Sequence, residues 1–524
     1  MKYLYLKTLM FLFLCMTGDN AMAYDIKVDG IYYNYINDGK ELEVTYGYYS
    51  DYSGYSGYEV TSLSIPETVT YSGRTRPVTA IGDNAFRDCE KLEKIFIPRS
   101  IKSIGERAFY DAIYLQHIYI VDLSAWCKIK FGDHGLVDWK LYLDYSEIKE
   151  LVIPDDVTII ADYAFQQCNS FSSVTIHDKI KDIGYHTFSC CRNLTTAVLG
   201  NGLQNIGVGA FEDCKRITSI VIPKSVKIID KDAFRYCERL ISIEIPDSVT
   251  AIGDGSFQYC KQLTSMKISN SVKCIGSKSF YGCGKLSSVT IGDGLLSIGG
   301  DAFYGCTALK SVHITDLSAW CKIEFKQGEY FEIYSNPLSY ACHLYLNNRE
   351  VKDLIIPDDI IEIKDVAFRK CESLSSITIN NEVTCIGRQA FSGCRNITSL
   401  TIGSGVENIG CEAFNFSNNN ELVTITSKIV EPKDIEMSVF STDLYNNAIL
   451  YIPVGTLNKY KSAIGWSQFI WLEEKEGLSD VGEVVKGKVD MSAYYTLDGK
   501  LVKKQQQGLN IVRMSDGTVR KVMR

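Results

Sequence analysis

The sequence contains few of the residues that carry catalysis or interrupt regular structure. Its 524 residues include only 6 His, 5 Trp and 10 Pro. So little proline excludes a collagen-like chain, and a hydrophobic content of 46% excludes a wholly disordered one. Positive charge is not in excess, because 55 Lys and Arg against 63 Asp and Glu give a formal charge of −8. We therefore expect no nucleic-acid partner.

Motifs of common catalytic and cofactor sites are also missing. The sequence has no HExxH, GxSxG, P-loop or GxGxxG pattern, and its cysteines show none of the CxxC pairs typical of zinc sites. We therefore predict that the protein is not an enzyme, binds no metal and needs no cofactor. A carbohydrate-active enzyme with an unrecognised site is the less favoured alternative.

The first 23 residues have the pattern of an export signal. Lys2 and Lys7 precede eight apolar residues at 9–16, and Ala21-Met22-Ala23 has the small-x-small form of a cleavage site. Eight apolar residues cannot cross about 30 Å of hydrocarbon, and no later run approaches the ~18 residues of a membrane span. We predict cleavage after Ala23, export to the cell surface or beyond, and no transmembrane helix.

Phenylalanine recurs with a period of 23 residues through most of the chain. Two steps are longer, 56 and 65 residues, and each indicates one unit that carries an insertion. A fixed period of this length is typical of stacked repeats. The recurring residues are Phe86, Phe109, Phe165, Phe188, Phe211, Phe234, Phe257, Phe280, Phe303, Phe368, Phe391 and Phe414.

One unit, residues 234–256, shows why the repeats must stack. Residues 240–246 alternate apolar and polar side chains, as a short strand does, and 249–253 form a second extended segment. The segment 257–260 suggests a turn of α- or 3₁₀-helix. Burying about eight apolar groups in one coil contributes roughly 1.5–3 kcal/mol for each group. This does not offset the entropy cost of ordering the backbone of the whole coil, roughly 1–2 kcal/mol per residue. An isolated coil therefore cannot fold. The sequence therefore predicts a repeat solenoid of 23-residue coils, with short β-strands, turns and short helices.

The repeat resembles that of the BspA-like leucine-rich repeat family. The resemblance rests on Cys260-x-x-Leu263-x-x-Met266-x-Ile268, on Val272-x-x-Ile275-Gly276 and on Phe280, and extends over about residues 81–420. It implies a leucine-rich-repeat fold and an exported surface protein. Some members of that family act as adhesins. This chain lacks a regular Asn ladder, and Ile-Pro or Ile-Gly closes most of its strands.

Ten cysteines follow the same period, each three residues after a phenylalanine. Ala112 takes that place in one coil, which indicates that the slot requires a small apolar group. Stacked disulfides and a metal array are the alternatives, but in-register stacking keeps the β-carbons too far apart for disulfides. We predict buried free thiols that act as small hydrophobes and form the repeat core together with the phenylalanines. These residues are Cys89, Cys168, Cys191, Cys214, Cys237, Cys260, Cys283, Cys306, Cys371 and Cys394.

The segments outside the period predict the remaining domains. Residues 24–80 are rich in tyrosine and predict an N-terminal β cap, or a tyrosine-rich adhesive patch. Residues 81–420 form the solenoid, with insertions near 122–150 and 316–350, and 421–476 form a C-terminal cap. Residues 477–524 predict a linker and a short β tail with two Asp-Gly hairpin signals. The tail resembles the sorting or attachment modules of exported proteins.

The two insertions are near duplicates that supply candidate contact residues. Residues 122–131 and 316–325 differ at one position, and each contains a tryptophan, Trp126 or Trp320; Trp139 lies in the first insertion. Insertions in repeat arrays often emerge as loops on the binding face, so we predict that these tryptophans contact a ligand. The alternative is that each anchors its loop to the coil below.

The outward positions of the strands are mostly Ser and Thr, which fits a solvated sheet or a docking surface. The N-terminal end of this surface is aromatic, and Phe96, His117 and Tyr119 are its candidate ligand contacts. The sequence thus predicts a non-catalytic, adhesin-like surface protein. Its expected partner is a host or microbial protein or glycan, and we expect a monomer. A structural or assembly component of the cell surface is the alternative.

Overall fold

The chain forms two compact units, each of them a solenoid. The computed structural model describes residues 21–50, 54–329, 335–416, 423–478, 491–495, 501–502, 509–514 and 519–523. One unit contains residues 1–263 and 279–284, and the other contains 264–278 and 285–524. Together they have about 17 turns of about 23 residues. The length of a turn is the one that the spacing of the phenylalanines predicts, whereas the number of turns exceeds the twelve periodic phenylalanines. Most of the predicted signal peptide and of the linker lies outside the described residues.

The first unit begins with strands that are not part of the repeat. Ile26–Val28, Ile31–Ile36 and Glu41–Thr45 are antiparallel neighbours, and Arg74–Ile81 pairs in parallel with Glu41–Thr45. The strand Ala21–Met22 pairs with Tyr48–Ser50, so the predicted cleavage after Ala23 would remove it. The other strands here are Gly54–Ser56, Ser62–Ser64 and Thr68–Tyr71. The assignment of this segment as a cap stays a prediction.

Each regular coil contributes one strand to each of two parallel rows, which we call the first-row and second-row strands. The pairing step equals the sequence period, because Ser173 pairs with Thr196 and Asp182 pairs with Asn205. In the first unit, the first-row strands are Lys94–Ile97, His117–Ile120, Lys140–Leu143, Glu150–Val152, Ser173–Thr175, Thr196–Val198, Ser219–Val221 and Ser242–Glu244. The second-row strands are Ser103–Ile104, Lys130–Phe131, Asp182–Ile183, Asn205–Ile206, Ile228–Ile229 and Ala251–Ile252.

The second unit has the same two rows. Its first-row strands are Ser265–Lys267, Ser288–Ile291, Ser311–Ile314, Leu344–Leu346, Asp353–Ile355, Ser376–Thr378, Ser399–Ile402, Thr424–Ser427, Ile449–Pro453 and Trp471–Lys475. Its second-row strands are Cys274–Ile275, Ser297–Ile298, Glu324–Phe325, Glu362–Ile363, Cys385–Ile386 and Asn408–Ile409. Short helices cover Leu338–Ala341, Thr442–Asn447 and Leu457–Ser462, with a 3₁₀ turn at Trp466–Gln468.

The recurring phenylalanines stack face to face inside the coils. All twelve are exposed by 1% or less. Within the first unit, the Phe211 and Phe234 rings are 5.6 Å apart between centroids and inclined by 2°. Within the second, Phe368 and Phe391 are 5.3 Å apart, also at 2°. Parallel strand pairing at a step of 23 residues places each ring over the next, so the period in the sequence becomes a column in the structure.

The column continues into aromatic rings that do not follow the period. Tyr58 lies 4.8 Å from Phe86 at the start of the first unit. In the second unit, Phe440 stacks on Phe414 at 5.3 Å, and Phe469 packs edge-on against Phe440 at 5.0 Å. These rings cover Phe86 and Phe414, the first and the last of the periodic phenylalanines, with apolar surface.

The segment after each second-row strand is a series of tight turns closed by bonds to the third residue back, which is the 3₁₀ pattern and not a turn of α-helix. Around Phe257, alternate amides close turns within the coil, as Cys260 does by donating to the Phe257 carbonyl at 3.1 Å. The intervening amides donate to the next coil, as Phe257 does to the Ser279 carbonyl at 2.8 Å. An α-helix needs all of these amides for itself, so the bonds between coils exclude it.

The insertions are additional coils and not the protruding loops that the sequence suggests. In the first, Asp122 caps the helix Leu123–Cys127 by accepting the Ala125 amide at 2.9 Å. The strands Lys130–Phe131 and Lys140–Leu143 then rejoin the two rows. The second insertion repeats this arrangement with the helix Leu317–Cys321. Each insertion ends in an antiparallel hairpin, whose second strand is Ser146–Glu147 or Arg349–Glu350.

The tail forms a small antiparallel sheet. Its four strands are Met491–Tyr495, Leu501–Val502, Leu509–Met514 and Val519–Met523, with the second strand at one edge next to the first. The predicted Asp-Gly turns, at 498–499 and 516–517, lie outside the described residues. Among the described residues, no helix has both the length and the apolar character that crossing a bilayer requires.

Candidate functional site

Three aromatic side chains lie side by side on the outward face of the first-row strands. Strand register places Phe96 beside Tyr119, and Tyr119 beside Tyr142. The ring centroids are 4.4 and 4.6 Å apart, with interplanar angles of 16° and 23°. We call these half-buried residues the aromatic strip. Two of them are predicted ligand contacts, whereas Tyr142 was missed because its position in the row depends on how the insertion folds.

His117, the third predicted contact on this surface, supports the strip from one side. Its Nδ1 lies 3.1 Å from the Tyr142 hydroxyl. Partial burial lowers the pKa of His117, and the nearby Lys94 and Lys140 lower it further. The imidazole therefore stays neutral at neutral pH and acts as a hydrogen-bonding partner of Tyr142.

A hairpin tip closes one side of a groove beside the strip. Tyr145, at the turn between Lys140–Leu143 and Ser146–Glu147, lies 5.8 Å from Phe96 and 6.0 Å from Tyr119 between ring centroids. The groove has a volume of about 250 Å³. Its apolar walls include Ile65 and Pro98, and its two charged lining residues are Glu67 and Asp144.

The second unit has a simpler counterpart of this surface. His313 stacks on Tyr345 at 4.8 Å and 18°, in the positions that Tyr119 and Tyr142 occupy in the first unit. Thr290 pairs with His313 where the first unit has Phe96. The two surfaces therefore share the tyrosine of the insertion, Tyr142 or Tyr345, and differ in the two coils that precede it.

The three tryptophans of the insertions are buried, which corrects the prediction that they contact a ligand. Trp126 and Trp320 are 1% exposed and Trp139 is 0% exposed. Their indole nitrogens donate to backbone carbonyls of the following coil, at 3.0 Å to Ala164, 3.0 Å to Ala367 and 2.8 Å to Gln166. Each tryptophan thus anchors its insertion, in agreement with the alternative interpretation.

Two further anchors give no signal in the sequence. His134 is fully buried, accepts the Leu136 amide at Nδ1, and directs Nε2 at the Tyr163 carbonyl at 3.3 Å. Asn336 does the same in the second unit, since its Oδ1 accepts the Leu338 amide and its Nδ2 donates to the Val366 carbonyl at 2.7 Å. The imidazole of His134 and the carboxamide of Asn336 therefore make equivalent hydrogen bonds in the two units.

The periodic cysteines are buried, and several make a specific contact. The Cys237 sulfur lies 3.2 Å from the Phe211 carbonyl, 26 residues back along the chain. The same contact recurs within each unit, from Cys191, Cys214, Cys260, Cys283 and Cys394. Burial raises the pKa of these thiols, which stay protonated and can donate. In the described part of the chain, the cysteines are free thiols.

Within the described ranges, no three or more His, Cys, Asp or Glu side chains converge in a manner that could hold a metal ion. The chemistry that the aromatic strip offers is recognition, through apolar contact, hydrogen bonds and charge.

Comparison with known proteins identifies the family. The BspA type leucine rich repeat region matches in six copies, over residues 50–125, 140–264, 227–327 and 342–460. Because these ranges include most of the sequence, the chain belongs to the BspA-type leucine-rich repeat family. This confirms the resemblance seen in the repeat.

Several solved structures are similar to this chain. A leucine-rich repeat protein from Bacteroides ovatus is 26% identical, with a TM-score of 0.52 over 77% of this chain and 95% of its own. A leucine rich cell surface protein from Faecalibacterium prausnitzii is 19% identical over 89% and 100%, with a TM-score of 0.29. The pneumococcal vaccine antigen PcpA is 17% identical over 87% and 99%, with a TM-score of 0.37. A search of curated proteins gives no match.

Proposed function

We propose that this protein is a non-catalytic, exported surface protein that binds a host or microbial protein or glycan through its first-row strands. The observation that supports this most directly is the aromatic strip. Phe96, Tyr119 and Tyr142 stay partly exposed, and Phe96 and Tyr119 line a groove. The other first-row strands of the first unit hold Ser, Val, Thr or Glu at the same row position. Aromatic residues next to a pocket are the usual anchors of binding surfaces.

The strand rows support the proposal because they hold the strip in one arrangement. Each strip residue lies on a strand that pairs with its neighbours, and the rings pack against each other. Little side-chain entropy is therefore lost when a partner binds, and more of the contact energy appears as affinity. Membership of a family of surface leucine-rich repeat proteins also favours an adhesin-like role.

A solid-phase binding assay with extracellular-matrix proteins, bacterial surface proteins and glycans tests the proposal. The test variant is Phe96→Ser/Tyr119→Ser, which gives the strip the residue that Ser64 supplies beside Phe96 in the same row. Val221→Ser is the matched control, because Val221 holds the row position of Phe96 in another coil and is 81% exposed. We expect the double variant to lose about 30-fold in affinity, the effect of removing one binding hot spot, and the control to lose none.

Two results would count against this proposal. If the double variant bound as tightly as wild type, the strip would not be the contact surface. If the wild type captured no partner but formed large oligomers in a solution mass measurement, a structural role at the cell surface would be favoured instead.

A further inference from the structure

Tyr145 occupies a backbone conformation that its residue type disfavours. The hairpin pairs Leu143 with Ser146, which leaves Asp144 and Tyr145 as its two turn residues, with φ of 46° and 66°. Two-residue hairpin turns of this kind need positive φ at both positions, which glycine, asparagine and aspartate adopt most easily. An aromatic residue pays a steric penalty there.

The second unit builds the same hairpin without that penalty. Leu346 pairs with Arg349, and the turn residues are Asn347 and Asn348, with φ of 50° and 63°. The fold therefore does not require a tyrosine at the second turn position. Burial does not explain it either, because Tyr145 is 77% exposed. A residue that strains its turn and gains little from packing indicates a role in binding.

The groove beside Tyr145 has the chemistry of a cation site. Aromatic and aliphatic side chains form its walls, and the carboxylates of Glu67 and Asp144 both line it. Its lining residues include no Lys, Arg or His. The charge nearest to Glu67 is Arg99, which forms an exposed ion pair with it at 3.1 Å. Exposed pairs of this kind contribute little energy, so a partner's cation can replace Arg99.

We propose that this groove accepts a basic side chain, arginine in preference to lysine, from an extended segment of a protein partner. The inference rests on the proposed function and names the chemistry of its partner. A planar guanidinium can stack on a tyrosine ring and form a forked pair with a carboxylate. The protein already contains such contacts, since Arg76 lies 4.8 Å from the Tyr35 ring and Arg235 lies 4.9 Å from the Tyr236 ring.

Charge complementarity favours a protein segment over a glycan. A neutral sugar would leave the Asp144 carboxylate without a counter-charge, and an acidic sugar would be repelled by Asp144 and Glu67. A basic side chain compensates this charge, while its apolar stem covers the aromatic wall.

The deciding variant is Tyr145→Asn, which copies the turn of the second unit. It removes the ring and relieves the backbone strain, so we expect a thermal midpoint equal to or above that of wild type. Calorimetric titration of the full chain would use the blocked peptide Gly-Ser-Arg-Ser-Arg-Gly, the same peptide with lysine or glutamine in place of arginine, and cellohexaose. We expect binding in the order arginine, lysine, glutamine, and about tenfold weaker arginine-peptide binding by Tyr145→Asn.

Charge variants provide a second measurement. Glu67→Gln/Asp144→Asn should weaken arginine-peptide binding and reduce its dependence on salt, whereas Glu244→Gln, which removes an exposed charge from another first-row strand, should change neither. These variants keep the shape of the groove, so a loss of binding would report on charge alone.

The inference is overturned if the wild type does not bind the arginine peptide, or binds the glutamine peptide equally well. Binding of cellohexaose that depends on Tyr145 would also overturn it, in favour of a glycan site. Tyr145→Asn could keep full affinity for the arginine peptide while Phe96→Ser/Tyr119→Ser no longer binds the partner found in the solid-phase assay. In that case the groove assignment fails and the proposed function stands. If the wild type captures no partner at all, the proposed function fails as well.

Discussion

The indole Nε1 of Trp126 donates a hydrogen bond of 3.0 Å to the backbone carbonyl of Ala164. In a regular coil, this carbonyl position receives a backbone amide from the preceding coil, as Ala233 does from Phe211 at 2.8 Å. The first insertion does not place a backbone amide at the Ala164 carbonyl, and the indole of Trp126 donates to this carbonyl instead. Trp320 and Ala367 repeat the contact at 3.0 Å. A tryptophan therefore connects each insertion to the coil that follows.

Replacing Trp126 with phenylalanine should destabilise the first unit. The Ala164 carbonyl would stay buried without its donor, which costs about 1–3 kcal/mol, and the smaller ring would leave a cavity. Urea denaturation should show a lower midpoint. Trp320→Phe in the second unit should have a smaller effect, because Asn336 Nδ2 also donates to the Ala367 carbonyl, at 3.2 Å. Trp471→Phe is the control, because its indole bonds the Asn446 carbonyl at the surface and its loss should cost much less. Equal midpoints for all three variants would contradict the anchoring role.

His134 should make stability depend on pH. Burial lowers its pKa to about 4, whereas an unfolded chain has a histidine pKa of about 6.5. Between these values, the unfolded state binds a proton that the folded state does not. The free energy of unfolding should therefore fall as pH drops from about 6.5 to about 4, by at most ~3 kcal/mol from this residue.

His134→Asn provides the matched test, because Asn336 fills the equivalent place in the second unit. The variant keeps a donor for the Tyr163 carbonyl and loses the titrating group. Denaturation midpoints measured at several pH values should then vary less with pH than those of wild type. An unchanged pH profile would show that His134 is not the group responsible.

The buried cysteines should resist alkylation in the folded protein. Burial raises the pKa of Cys168 and of Cys283 to about 12, so almost no thiolate forms near pH 8, and the thiolate is the reactive species. Cys274 is exposed and should react first with iodoacetamide. Mass spectrometry of peptides should find the periodic cysteines labelled only after denaturant is added. Their rapid labelling in the native protein would contradict the burial described here.

Gly202 should not tolerate a side chain. A β-carbon at this position would lie 1.8 Å from the Asp178 carbonyl oxygen of the preceding coil, so Gly202→Ala must separate the two coils. Gly284→Ala is the control, because a β-carbon there meets nothing within 4 Å. Thermal denaturation should show a clear loss for Gly202→Ala and almost none for Gly284→Ala. Similar losses would mean that coil spacing adjusts freely.

The repeat core could be predicted because each coil uses the same residue for the same buried slot. Phe234 and Cys237 recur at a fixed period, and parallel pairing at that period must superimpose them. The anchors of the insertions could not be predicted in this way. His134 and Asn336 share neither residue type nor period, and their role depends on which carbonyls the folded insertion leaves without a backbone donor.

The turns beside the column of phenylalanine rings could not be predicted from the sequence either. Residues two positions after eleven of the twelve periodic phenylalanines have positive φ, yet they include Asp213, Tyr236 and Lys370 as well as glycines. Bonds to the next coil hold these conformations, so the local sequence gives no glycine signal. On the outward face, Phe96, His117 and Tyr119 could be named from the alternation of the strands. Tyr145 could not, because its position comes from the hairpin.

The equality of pairing step and sequence period has a genetic consequence. Ser173 pairs with Thr196 at a distance of 23 residues, so each regular coil offers its neighbours the same two faces. Recombination that deletes or duplicates 23 codons within the regular coils would restore every strand pair and every ring stack across the junction. Array length can therefore change between related genes without alteration of the coil itself, whereas the loss of part of a coil would remove residues that the two rows and the ring column require.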